Sequence, residues 1–143
     1  MAGLAPRWAA VRGRMLALWC VFYAGMIFSF SLRPGEESAG QSGAVLALLA
    51  QLAQACGLPF FLEEWMVRKA AHFLEFFGYG ALLAWSFPGK WPPGAALLTA
   101  CCDEALQLLV PGRSGQAADA LLDFCGACAG ILCARLARRA KRA

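Results

Sequence analysis

What most constrains this chain is a succession of apolar segments long enough to cross a bilayer. A helix rises 1.5 Å per residue and the hydrocarbon core is ~30 Å thick, so a span needs roughly 17–25 residues. Four stretches qualify, at about residues 15–32, 67–87, 92–110 and 118–136. The first, Met15–Leu32, holds no charge, whereas the other three carry charged residues near one end. Of the 143 residues, 60% are hydrophobic and 15% charged. Soluble domains average roughly 45–50% and about 25%. That balance excludes an ordinary soluble domain, a disordered chain and a nucleic-acid binder, and the length allows a single unit, 1–143.

A fifth apolar run, Ala44–Leu62, contains Gln51 and Gln54 and breaks at Gly57-Leu58-Pro59. It predicts a short interfacial helix at about residues 44–54, within an outer loop 33–66. The N-terminal flank carries Arg7, Arg12 and Arg14, and the C-terminal flank Arg135, Arg138, Arg139, Lys141 and Arg142, with no acid in either. The positive-inside rule puts both ends in the cytoplasm, which requires an even number of spans. Trp8, Trp85 and Trp91 then fall at the inner interface and Trp65 at the outer one, as aromatic belts do. Pro92 and Pro93 open the third span, where a missing N–H matters least. A cleavable signal peptide is the rival reading of residues 1–32, but no small-x-small cleavage site follows the apolar core. The expected fold is all-α: a polytopic membrane protein with four transmembrane helices in a bundle plus a short outer interfacial helix.

Seven cysteines first suggest a disulfide framework. Six of them (Cys20, Cys101, Cys102, Cys125, Cys128, Cys133) lie inside apolar runs, and only Cys56 stands apart. The Cys125-x-x-Cys128 pair sits in the apolar helical run FCGACAGILC with no strand before it, so these residues read as small packing groups rather than a redox motif.

The charges inside the spans form a pattern. Arg68, His72, Glu75 and Tyr79 are spaced i, i+4, i+7, i+11 on one face of the second span. The third span holds Asp103, Glu104 and Gln107, again mutually close, and the polar turn Pro111-Gly112-Arg113-Ser114-Gly115 follows it. The fourth places Asp119, Asp123, Gly126 and Gly130 on one face, the two glycines forming a small-xxx-small packing patch. With the expected topology these three polar faces meet at one depth, in the outer half of the bundle. A convergent cluster can be paired and hydrated where scattered charges cannot. Arg68, Lys69 and Arg113 there face Glu75, Asp103, Glu104, Asp119 and Asp123. Three cations do not balance five carboxylates, so shared protons, a charged His72 or a cationic group completes the site. The bland alternative is a polar network that only holds three short spans together.

His72-x-x-Glu75 beside carboxylates also fits a metal site. The single histidine argues against zinc, a hard cation such as Mg²⁺ or Ca²⁺ remains open, and no metal or other cofactor is assigned. Nucleophilic attack by Ser114 with His72 as base requires a proximity that spacing does not supply. No glycine-rich phosphate loop is present.

Taken jointly, these residues are recognisable. Phe28–Ser42 (FSFSLRPGEESAGQS), the segment Arg68-Lys69…His72-Phe73…Glu75, Asp103, Glu104 and Gln107, the turn Val110–Gly115 (VPGRSG) and the run Asp119…Asp123…Gly126-Ala127…Gly130 resemble the VanZ-like family of small bacterial integral membrane proteins. The likeness covers nearly the whole chain beyond the N-terminal arginines. Phe76 departs from it, standing where such sequences often carry Tyr and removing a hydroxyl beside Glu75. The resemblance implies a multi-pass protein of the bacterial inner membrane, and the family's namesake is associated with resistance to the lipoglycopeptide teicoplanin. It implies no particular reaction.

The expected function is recognition of an envelope or outer-leaflet ligand, such as a lipid-linked cell-wall precursor or the antibiotic itself. Arg68, Lys69 and Arg113 would bind a phosphate or carboxylate. The carboxylates and Gln107 would bind hydroxyls or amines, and His72 and Glu75 are the candidate acid and base. A membrane-embedded hydrolase or transferase and a structural accessory subunit are the other two classes. The net charge of +4 then resolves into nine basic residues on the inner side without an acid, and nine acids with four bases on the outer side.

Overall fold

The computed structural model describes residues 4–141 and is all-helical over them. Its five helices are α1 (Leu4–Ser31), α2 (Gly35–Ala55), α3 (Glu64–Ser86), α4 (Trp91–Gln107) and α5 (Ala117–Ala140). Arg142, counted above in the C-terminal basic run, lies outside the described residues, as do the side chains of Arg7 and Trp8.

Among the described residues, two helices are long and apolar enough to cross a membrane: the Val11–Ser31 part of α1, and α5. The α1 segment is no core helix of a soluble protein, because Leu18, Trp19, Val21 and Phe22 are all exposed. Length and composition alone do not single out the other helices as spans. The first half of α3 carries Glu64, Arg68, Lys69, His72 and Glu75, and α4 has only 17 residues, with Asp103 and Glu104 in its second half.

α3 is the hub, packing on α1, α2, α4 and, most extensively, α5. Contacts fix the directions. Asp119 lies by Lys69 and Arg138 donates to the Trp85 carbonyl, so α3 and α5 run parallel. Tyr23 donates to the Glu75 carbonyl while Cys20 meets Ser86, so α1 runs antiparallel to α3. α4, which follows α3 through a short turn, runs antiparallel to it, and Tyr79 meets Thr99 across the pair. The start of α1 and the ends of α3 and α5 therefore share one end of the bundle. Trp85 there lies under Arg138 and Lys141, and the acidic residues of α3, α4 and α5 gather at the other end.

The α3–α5 seam is built from small residues. A Cβ added at Gly126 or Gly130 would run into the backbone of Phe73 or Phe77, and one at Gly80 into that of Ala127. This is the close backbone approach expected of a small-xxx-small patch, with Gly80 as the reciprocal partner on α3. Around it Phe76, Tyr79, Leu83, Ala96, Ala100, Ala127 and Ile27 form the core.

α2 corrects the sequence reading. The expected helix at residues 44–54 is a 21-residue helix beginning at Gly35. The stretch Gly35–Gly43 reads as a loop because it is polar and glycine-rich. Pro34, however, stands at the start, and Glu36 and Glu37 occupy the first turn, where carboxylates offset the exposed N–H dipoles. The third expected span, 92–110, likewise ends as a helix at Gln107 and continues as turns through Gly112, whose φ of +75° lets the chain reverse.

Candidate functional site

Three helices deliver the site. His72 comes from α3, Asp103 from α4 and Asp123 from α5, each from the face that spacing predicted. One ligand-capable atom from each lies within 4.8 Å of the other two. The glycine seam explains the convergence: Gly126, one turn after Asp123, rests on the Phe73 backbone, which brings the Asp123 carboxylate beside His72. His72 Nδ1 and Asp123 Oδ1 are 3.7 Å apart. Both aspartates have no exposed surface.

The remaining expected residues surround this trio with unequal partners. Asp103 and Glu104 accept from the Gln107 amide at 3.2 and 3.1 Å. Glu104 also accepts from the Gln116 backbone N–H at 2.7 Å, a bond that ties the α4–α5 loop to α4. Lys69 pairs with Asp119. Arg68 pairs with Glu64 at 3.0 Å, one turn back on its own helix, rather than with the cluster. Arg113 reaches the carbonyl of Phe30 at the end of α1, at 3.4 Å. Partial burial lowers the pKa of its guanidinium, while nearby Asp103 pulls the other way. Tyr79 shares the helix face but not the site, since its hydroxyl meets Thr99 at 3.2 Å in the apolar core. Ser114 lines a pocket with His72, and among the described residues no hydrogen bond joins them.

Of the carboxylate oxygens in this cluster, three are buried without a hydrogen-bond partner among the described residues: Oδ1 of Asp103 and both oxygens of Asp123. Buried acceptors are nearly always satisfied, so three orphans within one cluster mark a place built for something else.

Two cavities meet at His72. The larger, about 730 Å³, lies between α1, α2 and α3. Its walls are largely apolar (Phe30, Val45, Leu49, Leu62, Met66, Leu74), and Arg68, His72, Glu75 and Arg113 line it as well. The smaller, about 230 Å³, has a more polar lining, with Lys69, Glu104, Gln107, Ser114 and Asp119 beside Trp65 and Leu122. Arg68, His72 and Arg113 border both.

Spacing pointed to the polar residues but not to their supports. Tyr23 holds the α3 backbone at Glu75, 3.1 Å away, and its ring fills the space beside Gly78. Ser31 is buried and sits beside Asp103. An isolated tyrosine and serine in an apolar helix carry no periodic signal, so only the packed bundle reveals them.

A family model described as VanZ/LLP1 matches residues 16–138, a region holding all of these residues. Neither the curated proteins nor the solved structures contain a match to the chain.

Proposed function

The chain belongs to the VanZ-like family, and we propose that it is a four-span protein of the bacterial inner membrane that binds an amphiphilic envelope ligand across the two cavities that meet at His72, one between α1, α2 and α3 and one at the charged cluster of α3, α4 and α5. The observation that carries this reading is the pair of cavities. An apolar-walled cavity of about 730 Å³ meets a smaller, more polar one, with Arg68, His72 and Arg113 bordering both. Arginine forks suit a phosphate or carboxylate head group, and the apolar wall suits the chain attached to it. A lipid-linked cell-wall precursor has this form, as does the acylated antibiotic teicoplanin, whose capture would contribute to glycopeptide resistance.

The topology follows from the same reading. α1, α3, α4 and α5 cross, with α2 along the outer face and both termini in the cytoplasm. The charges on α4 are tolerable in a membrane because Asp103, Glu104 and Gln107 face inward and are buried, and those on α3 lie in its first half, at the end of the bundle. A reporter fused after Ala143 should read as cytoplasmic, and a periplasmic signal rejects the topology.

A second reading, a membrane-embedded hydrolase or transferase for a lipid-linked substrate, is favoured by one observation: the imidazole beside a buried carboxylate, 3.7 Å away. That pair could act as base and orienting group. The third class, a purely structural cluster, fits poorly with carboxylate oxygens that hold nothing.

The test is binding of a polyprenyl phosphate and, separately, of teicoplanin to the purified protein in nanodiscs, followed by native mass spectrometry. The double variant Arg68→Ala/Arg113→Ala should lose the bound amphiphile. Equal occupancy in the wild type and the variant overturns the reading.

A further inference from the structure

We propose that His72, Asp103 and Asp123 form a binding site for one divalent cation of the first transition row, of the Mn²⁺ class. The inference needs neither the amphiphile reading nor the topology. It starts from the unsatisfied atoms. Both oxygens of Asp123 and one of Asp103 are fully buried and accept no hydrogen bond among the described residues. Nor is either carboxylate ion-paired with Lys or Arg there: Lys69 is taken by Asp119 and Arg68 by Glu64, and Arg113, the nearest other cation, reaches the Phe30 carbonyl instead. Two buried carboxylates without a Lys or Arg ion-pair partner carry a large desolvation penalty. A doubly charged cation, with His72 neutral, cancels their charge and fills every orphaned acceptor.

The geometry suits such an ion. Two ligands on one cation with bonds of about 2.1 Å stand about 3–4 Å apart. His72 Nδ1 and Asp123 Oδ1 are 3.7 Å apart, and the atoms of all three residues fall within 4.8 Å. That distance is too long for a hydrogen bond between them. The donor set selects the class. An imidazole nitrogen disfavours Ca²⁺ and Mg²⁺, which take oxygen ligands, and two carboxylates without a thiolate favour a borderline-to-hard ion. Three protein ligands leave coordination positions open. His72 is the only one of the three with exposed surface, so exchange occurs on its side, where the two cavities meet.

The probe is Mn²⁺, because all seven cysteines are free thiols and Zn²⁺ would bind them as well. Protein without a polyhistidine tag is stripped with chelator in detergent and titrated with Mn²⁺, while electron paramagnetic resonance follows the free ion. The wild type should bind one Mn²⁺ per chain. Asp103→Asn and Asp123→Asn should each weaken binding by about 100-fold, since even outer-shell changes cost roughly 10–100-fold. Glu37→Gln, at an exposed pair with Arg33, should leave it unchanged. The chain has a single histidine, so ¹⁴N coupling on bound Mn²⁺ reports His72 alone, and this readout holds even if a variant fails to fold. Absence of that coupling in the wild type, or stoichiometric uptake by the Asp103→Asn/Asp123→Asn double variant, overturns the site. Either result leaves the amphiphile reading to its own lipid-binding test.

Discussion

α3 and α5 run side by side, and their two halves are built on opposite principles. Beyond Phe73, Gly126, Gly130 and Gly80 bring the two backbones into contact. The surrounding side chains (Phe76, Leu83, Ala84, Ile131, Ala134) are apolar and buried. Before Phe73 the same helices carry Lys69 and His72 against Asp119 and Asp123, and α4 contributes Asp103, Glu104 and Gln107. In a membrane, helices associate through van der Waals packing of small residues, because apolar contact alone gains nothing over lipid. The seam thus holds the frame, and the polar half is free to keep three carboxylate oxygens that no group among the described residues satisfies.

The comparison breaks most directly at Gly130. Gly130→Leu puts a branched side chain where even a Cβ meets the Phe77 backbone. The expected loss is about 3 kcal/mol, at the upper end for overpacking, because backbone cannot move aside as a side chain does. Unfolding in detergent measures it, and an unchanged midpoint would mean the seam does not hold the frame.

The second prediction has the opposite sign. Asp123→Leu, tested with chelator present, removes a buried carboxylate that has no Lys or Arg partner. Stability should hold or rise by about 1–2 kcal/mol, as when buried charge gives way to apolar groups, while Mn²⁺ uptake disappears. A marked loss of stability would make the polar half structural after all.

A smaller effect is expected at the junction of the halves. Tyr23→Phe deletes the bond from the phenol to the Glu75 carbonyl and keeps the ring that packs on Gly78. The expected cost is about 1 kcal/mol, read as a shift of the thermal midpoint in detergent.

Much of this organisation is legible along the chain, for physical reasons. α3, α4 and α5 lie close to their expected limits because apolar runs end at Pro-Gly punctuation, at Pro88-Gly89 and Pro111-Gly112. The polar faces of α3, α4 and α5 are legible as helical spacing, and His72, Asp103 and Asp123 do come together. Pairings are not legible. Arg68 turns back to Glu64, Arg113 reaches α1, and Glu104 is claimed by the Gln116 N–H of a loop. Each depends on where a turn or a neighbouring helix end lies, and spacing on one helix says nothing of that. Gly80 shows the same limit, since one glycine in a helix signals packing only once α5 is laid across it. The start of α2 is hidden for a different reason: a helix that begins in polar residues has no apolar period there, and its signal lies in Pro34, Glu36 and Glu37.

The smallest predicted effect sharpens the comparison furthest. Lys69 and Asp119 form the outermost ion pair between α3 and α5, and their side chains are 42% and 28% exposed. Exposed pairs contribute about 0–1 kcal/mol, because water screens the attraction and two long side chains lose freedom. Lys69→Gln should therefore shift stability by about 0.5 kcal/mol or less, a difference that salt erases within the ordinary range of ionic strength. Binding should respond more. If Lys69 serves the head group, losing one charged hydrogen bond lowers polyprenyl phosphate affinity by about tenfold. If the pair instead braces the helices, stability falls and affinity follows it in proportion. Measuring both on the same preparation separates a group that faces the ligand from one that holds the frame.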